Sequence, residues 1–150
     1  MLLDLAHRVR RFVLRATGWR TRGVRVMVFD AAGRVLLIRH GYADRTRWWL
    51  PGGALRWHEA PPAGAVREVR EETGCRLEQL EAAGIFENRA EGWRDTVHLF
   101  RARTDDLPRP DGREVTEARF FALDALPPTI TPATARRLEE FAGAARSPRW

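Results

Sequence analysis

At 150 residues, with 44% hydrophobic and 31% charged residues, the chain has the composition of a soluble globular protein and enough length to bury a core within one domain. This composition excludes a disordered chain. No apolar run approaches the roughly 18 residues of a membrane-spanning helix, so a helical membrane protein is excluded as well. Because Cys75 is the only cysteine, no intramolecular disulfide can form, and we expect a cytoplasmic protein.

A basic amphipathic helix is predicted at the N-terminus, over residues 1–20. Apolar residues recur there at helical spacing, the arginines lie off that stripe, and Gly18 provides a stop signal. Seven arginines and one acid in residues 1–25 account for the whole formal net charge of +6. The helix could bind an anionic membrane surface or nucleic acid. Packing on the domain or on a second subunit is favoured, because basic faces are usually just solvated.

The next segments predict a β-hairpin and a short strand. Segments 23–30 and 35–40 have strand patterns and are separated by the turn sequence DAAGR. After a polar loop, the sequence WWLPGG at 48–53 predicts a short apolar strand that runs into a glycine turn.

A helix is predicted from Pro61 to Thr73. Its two prolines lie in the first turn, where they are tolerated, and Gly74 occupies the C′ position. Ala60 stands where a serine or threonine would cap the helix, so no side-chain cap is expected.

The second half of the chain predicts further strands and one more helix. Strands are expected over 80–88, 96–103 and 118–126. Thr131 as N-cap and Pro132 at the first helical position begin a helix that runs to about Ala142. Residues 143–150 are expected to form a loose tail. No linker divides the chain, so residues 1–150 are predicted to form a single domain.

Three glutamates lie close together in the first of these helices. Glu68, Glu71 and Glu72 are spaced i, i+3 and i+4, so their carboxylates share one face and repel one another. A divalent cation would reverse that repulsion, and carboxylate oxygens are ligands that Mg²⁺ or Mn²⁺ prefers. Taken alone, the string REVREET is more typical of a solvated helix with mixed charges.

The wider spacing around these glutamates is far more specific. Residues 52–75, GGALRWHEAPPAGAVREVREETGC, resemble the Nudix box Gx5Ex7REUxEExGU, in which U is a bulky apolar residue. Every fixed position matches: Gly53, Glu59, Arg67, Glu68, Glu71, Glu72 and Gly74. Cys75 is a less usual occupant of the last position, and His58 stands where a glycine commonly precedes the first glutamate. The flanking strands extend the resemblance to about residues 22–128.

The resemblance implies an α/β fold, an α/β/α sandwich with a mixed β-sheet, to which this chain would add the N-terminal amphipathic helix and a C-terminal helix. It also implies hydrolysis of a pyrophosphate bond in a nucleoside triphosphate or a nucleoside diphosphate sugar. Mg²⁺ is the implied cofactor, with Mn²⁺ as a substitute. The expected partner is a small nucleotide; neither a membrane span nor nucleic acid is expected, and a homodimer would be common for the family. Hydrolysis of RNA 5′ ends and non-catalytic nucleotide binding are the alternatives.

Roles follow from the resemblance residue by residue. The implied metal ligands are the backbone carbonyl of Gly52 and the carboxylates of Glu68, Glu71 and Glu72. Arg67 would orient the carboxylates, and Glu59 would support the metal cluster or help water lose its proton. The implied catalytic residues are therefore Glu59, Arg67, Glu68 and Glu71. The general base varies in the family; besides a box glutamate, the distant candidates are Glu87, Glu91, Asp95, Glu114 and Glu117.

Substrate contacts are expected from residues other than the fixed positions of the box motif. Arginines could clamp phosphates and a tryptophan could stack on a base. The candidates are Arg39, Arg47, Trp48 and Trp57. Adjacent strand residues face opposite ways, so core packing of Trp48 or Trp49 is an equally good interpretation. No motif for a substrate subclass is complete, which leaves the base and the second group undetermined.

Overall fold

The fold is a mixed sheet between two helices, as seen in a computed structural model that describes residues 20–42, 44–90 and 93–150. The strands are β1 Arg20–Phe29, β2 Val35–His40, β3 Glu78–Ala90, β4 Trp93–Arg103 and β5 Val115–Phe121, and the helices are α1 Pro61–Thr73 and α2 Pro132–Phe141. The strand order is β3-β4-β1-β2-β5, and among these described strands only β1 and β4 pair in parallel. The expected α/β/α sandwich is therefore confirmed. The predicted N-terminal helix lies outside the described residues, except for Arg20, which begins β1.

Alternation along β1 divides the core into two layers, one on each face of the sheet. Val24, Val26 and Val28 are buried against α1. Met27 points to the opposite face, where it is buried in a cluster with Leu138 of α2. Each helix thus covers one face of the central strand, which fixes both helices relative to the same backbone.

The predicted hairpin forms, but its two strands separate soon after the turn. β1 and β2 are antiparallel and pair at Phe29 and Val35. Farther along, residues 48–54 lie between the two strands, bridged to both of them. The amide of Val24 donates to the carbonyl of Gly53 over 2.9 Å. The start of the box is consequently hydrogen-bonded to the central strand.

Helix α1 begins and ends where the sequence predicted. Ala60 makes no side-chain cap, and prolines occupy the first turn. The helix stops at Gly74, whose φ of 72° is left-handed and whose amide donates to the carbonyl of Arg70 over 2.9 Å. Helix α2 also begins as expected, with the hydroxyl of Thr131 accepting from the amide of Thr134.

Strand β5 was predicted over 118–126, and these bounds are wrong at both ends. The strand begins at Val115 because the Asp111 side chain closes a turn immediately before it, accepting from the amides of Arg113 and Val115 over 3.0 and 2.8 Å. It ends at Phe121 because the next residues turn, with a hydrogen bond from Ala125 to the carbonyl of Ala122.

The tail at 143–150 was expected to be loose, and the structure corrects this prediction. Its carbonyl at Arg149 accepts a 2.7 Å hydrogen bond from the buried side chain of Arg137 in α2. The amide of Ser147 donates to Glu140, and the ring of Trp150 packs against Phe86 of β3. Within the described part of the chain, no helix is long and apolar enough to cross a membrane.

Replacing Gly74 by alanine should destabilise the protein by about 1 kcal/mol, because an L-residue must adopt a left-handed conformation there. A Cβ at this position would touch nothing closer than 3.8 Å, so the effect is that of the backbone alone. Urea unfolding measures the change. Gly74→Asn is the matched control and should be the milder substitution, since asparagine tolerates this conformation better; equal losses for both variants would contradict the explanation.

Candidate active site

A cavity of about 660 Å³ opens where one face of α1 meets the first residues of β1. Several parts of the chain line it: the sheet, the box, the segment after β2, the loop before β5 and the tail. Its polar lining residues include Thr21, Arg25, His40, Tyr42, Glu68, Glu71, Glu72, Asp95 and Glu114. The three box glutamates on the shared helix face therefore line a single cavity.

Arg67 is the centre of the hydrogen bonds within the box. Its Nε and Nη2 donate to Glu59 over 2.7 and 2.8 Å. Its Nη1 donates to Glu68 over 2.7 Å and to Glu71 over 3.1 Å, and Nη2 also reaches the carbonyl of Ala54. One guanidinium thus hydrogen-bonds to three carboxylates and joins the box loop to the helix.

Glu72 is held separately from the other glutamates. It is buried, and its Oε2 accepts a 2.8 Å hydrogen bond from the amide of Gly52. Arg25 of β1 is the positive charge that most favours its ionised form, and Nη1 of Arg25 donates to the carbonyls of Leu50 and Gly52. The carbonyl predicted to be a metal ligand, that of Gly52, therefore accepts a hydrogen bond from Arg25.

The two glycines at the start of the box are required by close approach. A Cβ at Gly52, which has a φ of 142°, would lie 2.1 Å from the carbonyl oxygen of Val24. A Cβ at Gly53 would lie 2.6 Å from a carboxylate oxygen of Glu68. Side chains at these positions would push the box loop away from β1 or displace the carboxylate.

Burial and hydrogen bonding shift the pKa values of the box carboxyls in opposite directions. Burial raises the pKa of Glu72 to about 8, with Arg25 and the Gly52 amide opposing that shift. Burial also raises the pKa of Glu68, although Arg67 opposes it. Hydrogen bonds from Arg67 lower the pKa of Glu59 to about 2. The ionised form is therefore disfavoured at Glu68 and Glu72 and favoured at Glu59.

Comparison with known proteins decides the family. The family model of the NUDIX domain matches residues 19–141. The chain belongs to the Nudix family. It is 48% identical to a "MutT-like protein" of Streptomyces ambofaciens over 106 residues, which cover 71% of this chain and 66% of that protein. It is 28% identical to the "Putative 8-oxo-dGTP diphosphatase" of Bacillus subtilis (strain 168), with 84% of this chain and 83% of that protein covered.

A solved structure agrees with this assignment. The MutT NUDIX hydrolase from Burkholderia pseudomallei is similar to this chain with a TM-score of 0.71 and 29% identity, covering 81% of this chain and 97% of that one. The resemblance to the Nudix family, stated from the box motif, is thereby confirmed. The match reaches just under two thirds of the length of the Streptomyces relative.

The donor set fits the divalent metals that Nudix hydrolases generally use, but its carboxylates are not preassembled. Among the described residues, no three Asp, Glu, His or Cys side chains converge closely enough to hold an ion. The reason is geometric: Arg67 draws Glu68 and Glu71 toward itself, whereas Glu72 points at an amide. All three nevertheless present hard oxygens to the same cavity, where a cation would relieve the buried negative charge.

The four residues proposed to contact substrate are not among those that line the cavity. Arg39 is paired with Glu117 over 2.9 Å, and its guanidinium lies over the ring of Trp48, which is buried in the core. Arg47 is exposed and paired with Asp44 of its own loop. Trp57 is 87% exposed. The burial of Trp48 favours the core interpretation for that residue. The substrate contacts of Arg39, Arg47 and Trp57 stay predictions.

The structure narrows the distant candidates for the general base. Asp95 and Glu114 line the cavity. Glu87 and Glu117 do not line it, and Glu91 lies outside the described residues. Asp95 accepts a 2.7 Å hydrogen bond from the hydroxyl of Thr21, whereas the charge of Glu114 helps to raise the pKa of Glu72 and of Tyr42.

Sequence reasoning missed several cavity residues, among them Arg25 and Trp150. Arg25 alternates with Val24 and Val26, which is the ordinary pattern of a strand with one polar face, so only its charge beside an apolar strand hinted at a role. Trp150 had no such signal, because nothing local shows that the tail folds back onto the sheet.

The metal-free Nudix protein should lose stability as pH rises from 4.5 to about 8, because of Glu72. Its carboxyl ionises near the ordinary value in the unfolded chain but stays protonated to about 8 when folded, so the stabilisation is complete below pH 4.5 and is lost as pH rises through 8. Unfolding free energies measured in EDTA across this range test the effect. Glu72→Gln should flatten the profile relative to wild type; superimposable profiles would contradict it.

Proposed function

We propose that this Nudix protein is a Mg²⁺-dependent pyrophosphohydrolase that acts on a nucleoside triphosphate. The observation that carries the proposal is the opening of Glu68, Glu71 and Glu72 on one cavity of about 660 Å³. That volume is within the roughly 300–1,000 Å³ typical of small-molecule sites. The cavity also contains Arg22, Arg25 and Arg56, cations suited to an anionic polyphosphate.

Glu68, Glu71, Glu72 and the carbonyl of Gly52 would hold the metal. When bound there, Mg²⁺ would neutralise phosphate oxygens and make a water more acidic. Arg67 would keep Glu68 and Glu71 in reach of the cavity, and its own position is fixed by Glu59. The low pKa of Glu59 suits it to this constant ion pair rather than to proton transfer near neutral pH.

The names of the relatives favour a nucleoside triphosphate over a nucleoside diphosphate sugar, since one is a "MutT-like protein" and another a "Putative 8-oxo-dGTP diphosphatase". The partly apolar lining of the cavity is compatible with the base of either class. The alternative of RNA 5′-end hydrolysis depends on the basic segment 1–20, which lies almost wholly outside the described residues.

Incubation with a nucleotide panel tests the proposed reaction. The panel contains the common nucleoside triphosphates, 8-oxo-dGTP, nucleoside diphosphate sugars and 5′-triphosphorylated RNA, each with Mg²⁺, with Mn²⁺ and with EDTA. We expect metal-dependent release of pyrophosphate or phosphate from a triphosphate, with the products separated by chromatography. The rate of this hydrolysis should fall by at least about 100-fold in Glu72→Gln. If wild type cleaves no member under any metal condition, the proposal fails.

Glu114 is the residue that we propose as general base. Glu114→Gln should lower kcat by about 100-fold or more and change KM little, because it removes proton acceptance without removing a binding contact. Asp95→Asn should have a smaller effect, since Asp95 is engaged by Thr21. Glu117→Gln is the matched control, a neighbouring acid that pairs with Arg39 outside the cavity, and should leave kcat unchanged. A larger kcat loss in Asp95→Asn than in Glu114→Gln would reverse the assignment.

A further inference from the structure

Trp150 lines the same cavity as the box glutamates although it lies 78 residues after the last of them. It is only partly buried, and its ring packs against Phe86 of β3 at 5.6 Å between centroids. Phe86 is paired with Val97 of β4, which also lines the cavity. One wall of the cavity is therefore supplied by the tail, packed on the β3–β4 side of the sheet.

Arg137 holds the tail in this position. Its side chain has no exposed surface, and its guanidinium lies 4.0 Å from the ring centre of Phe86 and 5.6 Å from that of Trp150. Its Nη2 donates to the carbonyl of Arg149 over 2.7 Å. Arg136 donates to the backbone carbonyl of Trp150 itself. Two neighbouring arginines of α2 thus bind the backbone on both sides of the last peptide bond and support the ring above Phe86.

Strand β3 is shaped to receive the tail. A register shift falls between Ala82 and Gly84. Arg146 lies over Gly84 and donates to the carbonyl of Ala83 over 3.0 Å, and a Cβ at Gly84 would lie 2.2 Å from its Nη2. The tail is therefore attached at its beginning by Arg146 and at its end by Arg137.

The other aromatic groups of the cavity lie at the opposite end. Tyr42 lines the cavity together with the box glutamates. Burial raises its pKa to about 12, and the charges of Glu114 and Glu72 add to that shift. His40 lies beside Tyr42, with 5.2 Å between ring centres. Among the described lining residues, Trp150 is the aromatic one on the side of the sheet formed by β3 and β4, whereas His40 and Tyr42 belong to β2 and the segment after it.

We propose that Trp150 is a specificity-determining residue that stacks on the base of the bound nucleotide, while Arg137 acts as the positioning residue that holds it there. A polyphosphate must lie near the box glutamates and arginines, so the base extends from them toward a part of the cavity with an aromatic wall. The proposal rests on the proposed function for the identity of the ligand, a nucleotide, but concerns binding of its base and not the chemistry at phosphorus.

The test compares Trp150→Ala and Trp150→Phe with wild type for kcat, KM and affinity for a non-hydrolysable nucleoside triphosphate. Trp150→Ala should raise KM and weaken binding by about 10-fold, since base stacking on an aromatic side chain contributes on that order. The value of kcat should stay near wild type, because the contact is the same in the ground and transition states. Trp150→Phe should recover most of the affinity.

Inorganic tripolyphosphate, which has no base, separates stacking from a general distortion of the site. Its inhibition constant should be the same for wild type and Trp150→Ala. Arg137→Met should raise KM for nucleotides in the same way as Trp150→Ala, again without weakening tripolyphosphate; loss of both would indicate a structural role for Arg137 only and would overturn its part of the proposal.

The outcomes distinguish this inference from the proposed reaction. Hydrolysis with unchanged KM and affinity in Trp150→Ala would overturn the stacking role and leave the reaction in place. Nucleotide binding that depends on Trp150 without any hydrolysis would uphold the stacking role and overturn the reaction. A wild-type protein that neither binds nor cleaves any nucleotide would overturn both.

Discussion

The ion pairs of Arg67 are the interaction on which the box depends. Carboxylates on one helical face repel, and a single guanidinium relieves that repulsion by donating to Glu59, Glu68 and Glu71 at distances of 2.7 to 3.1 Å. Arginine suits this position because its planar group offers five N–H donors in a rigid arrangement, whereas a lysine offers a single point of charge. The same group reaches the carbonyl of Ala54, so the charge network also fixes the loop that precedes the helix.

This arrangement has a consequence for metal binding. Glu68 and Glu71 both accept hydrogen bonds from Arg67, which a metal would have to displace in part. Glu72 lies in the opposite situation, since it is buried, has a raised pKa and lies beside Arg25 without a direct ion pair among the described contacts. A metal would therefore gain most at Glu72 and least at Glu71, which is half-exposed and shared between two arginines. Any metal bound here would therefore be influenced by Arg25 of β1 as well as by the carboxylates of the helix.

The box helix could be predicted from sequence because its signals are local. Its first-turn prolines, its left-handed Gly74 and the spacing of its glutamates all act within a few residues of one another. The positions of Trp48 and Trp150 depend instead on distant partners: Trp48 packs in the core with Phe121, and Trp150 is held by α2. The local sequence pattern does not reveal such distant contacts. For this reason it predicts a loose tail around Trp150, which lines the cavity, and offers Trp48, which is buried in the core, as a substrate-binding candidate.

The lining of the cavity comes partly from one continuous segment of the chain and partly from segments that are far apart in sequence. The carboxylates, their arginine and the two glycines come from residues 52–72, so one short motif is sufficient to indicate pyrophosphate chemistry. The remaining lining comes from β1, β4, the loop before β5 and the tail, which approach one another only in the folded sheet. Trp150, the residue proposed to stack on a base, belongs to this second part. The box motif of a Nudix sequence therefore indicates the class of reaction, whereas the substrate depends on residues that come together only in the folded cavity.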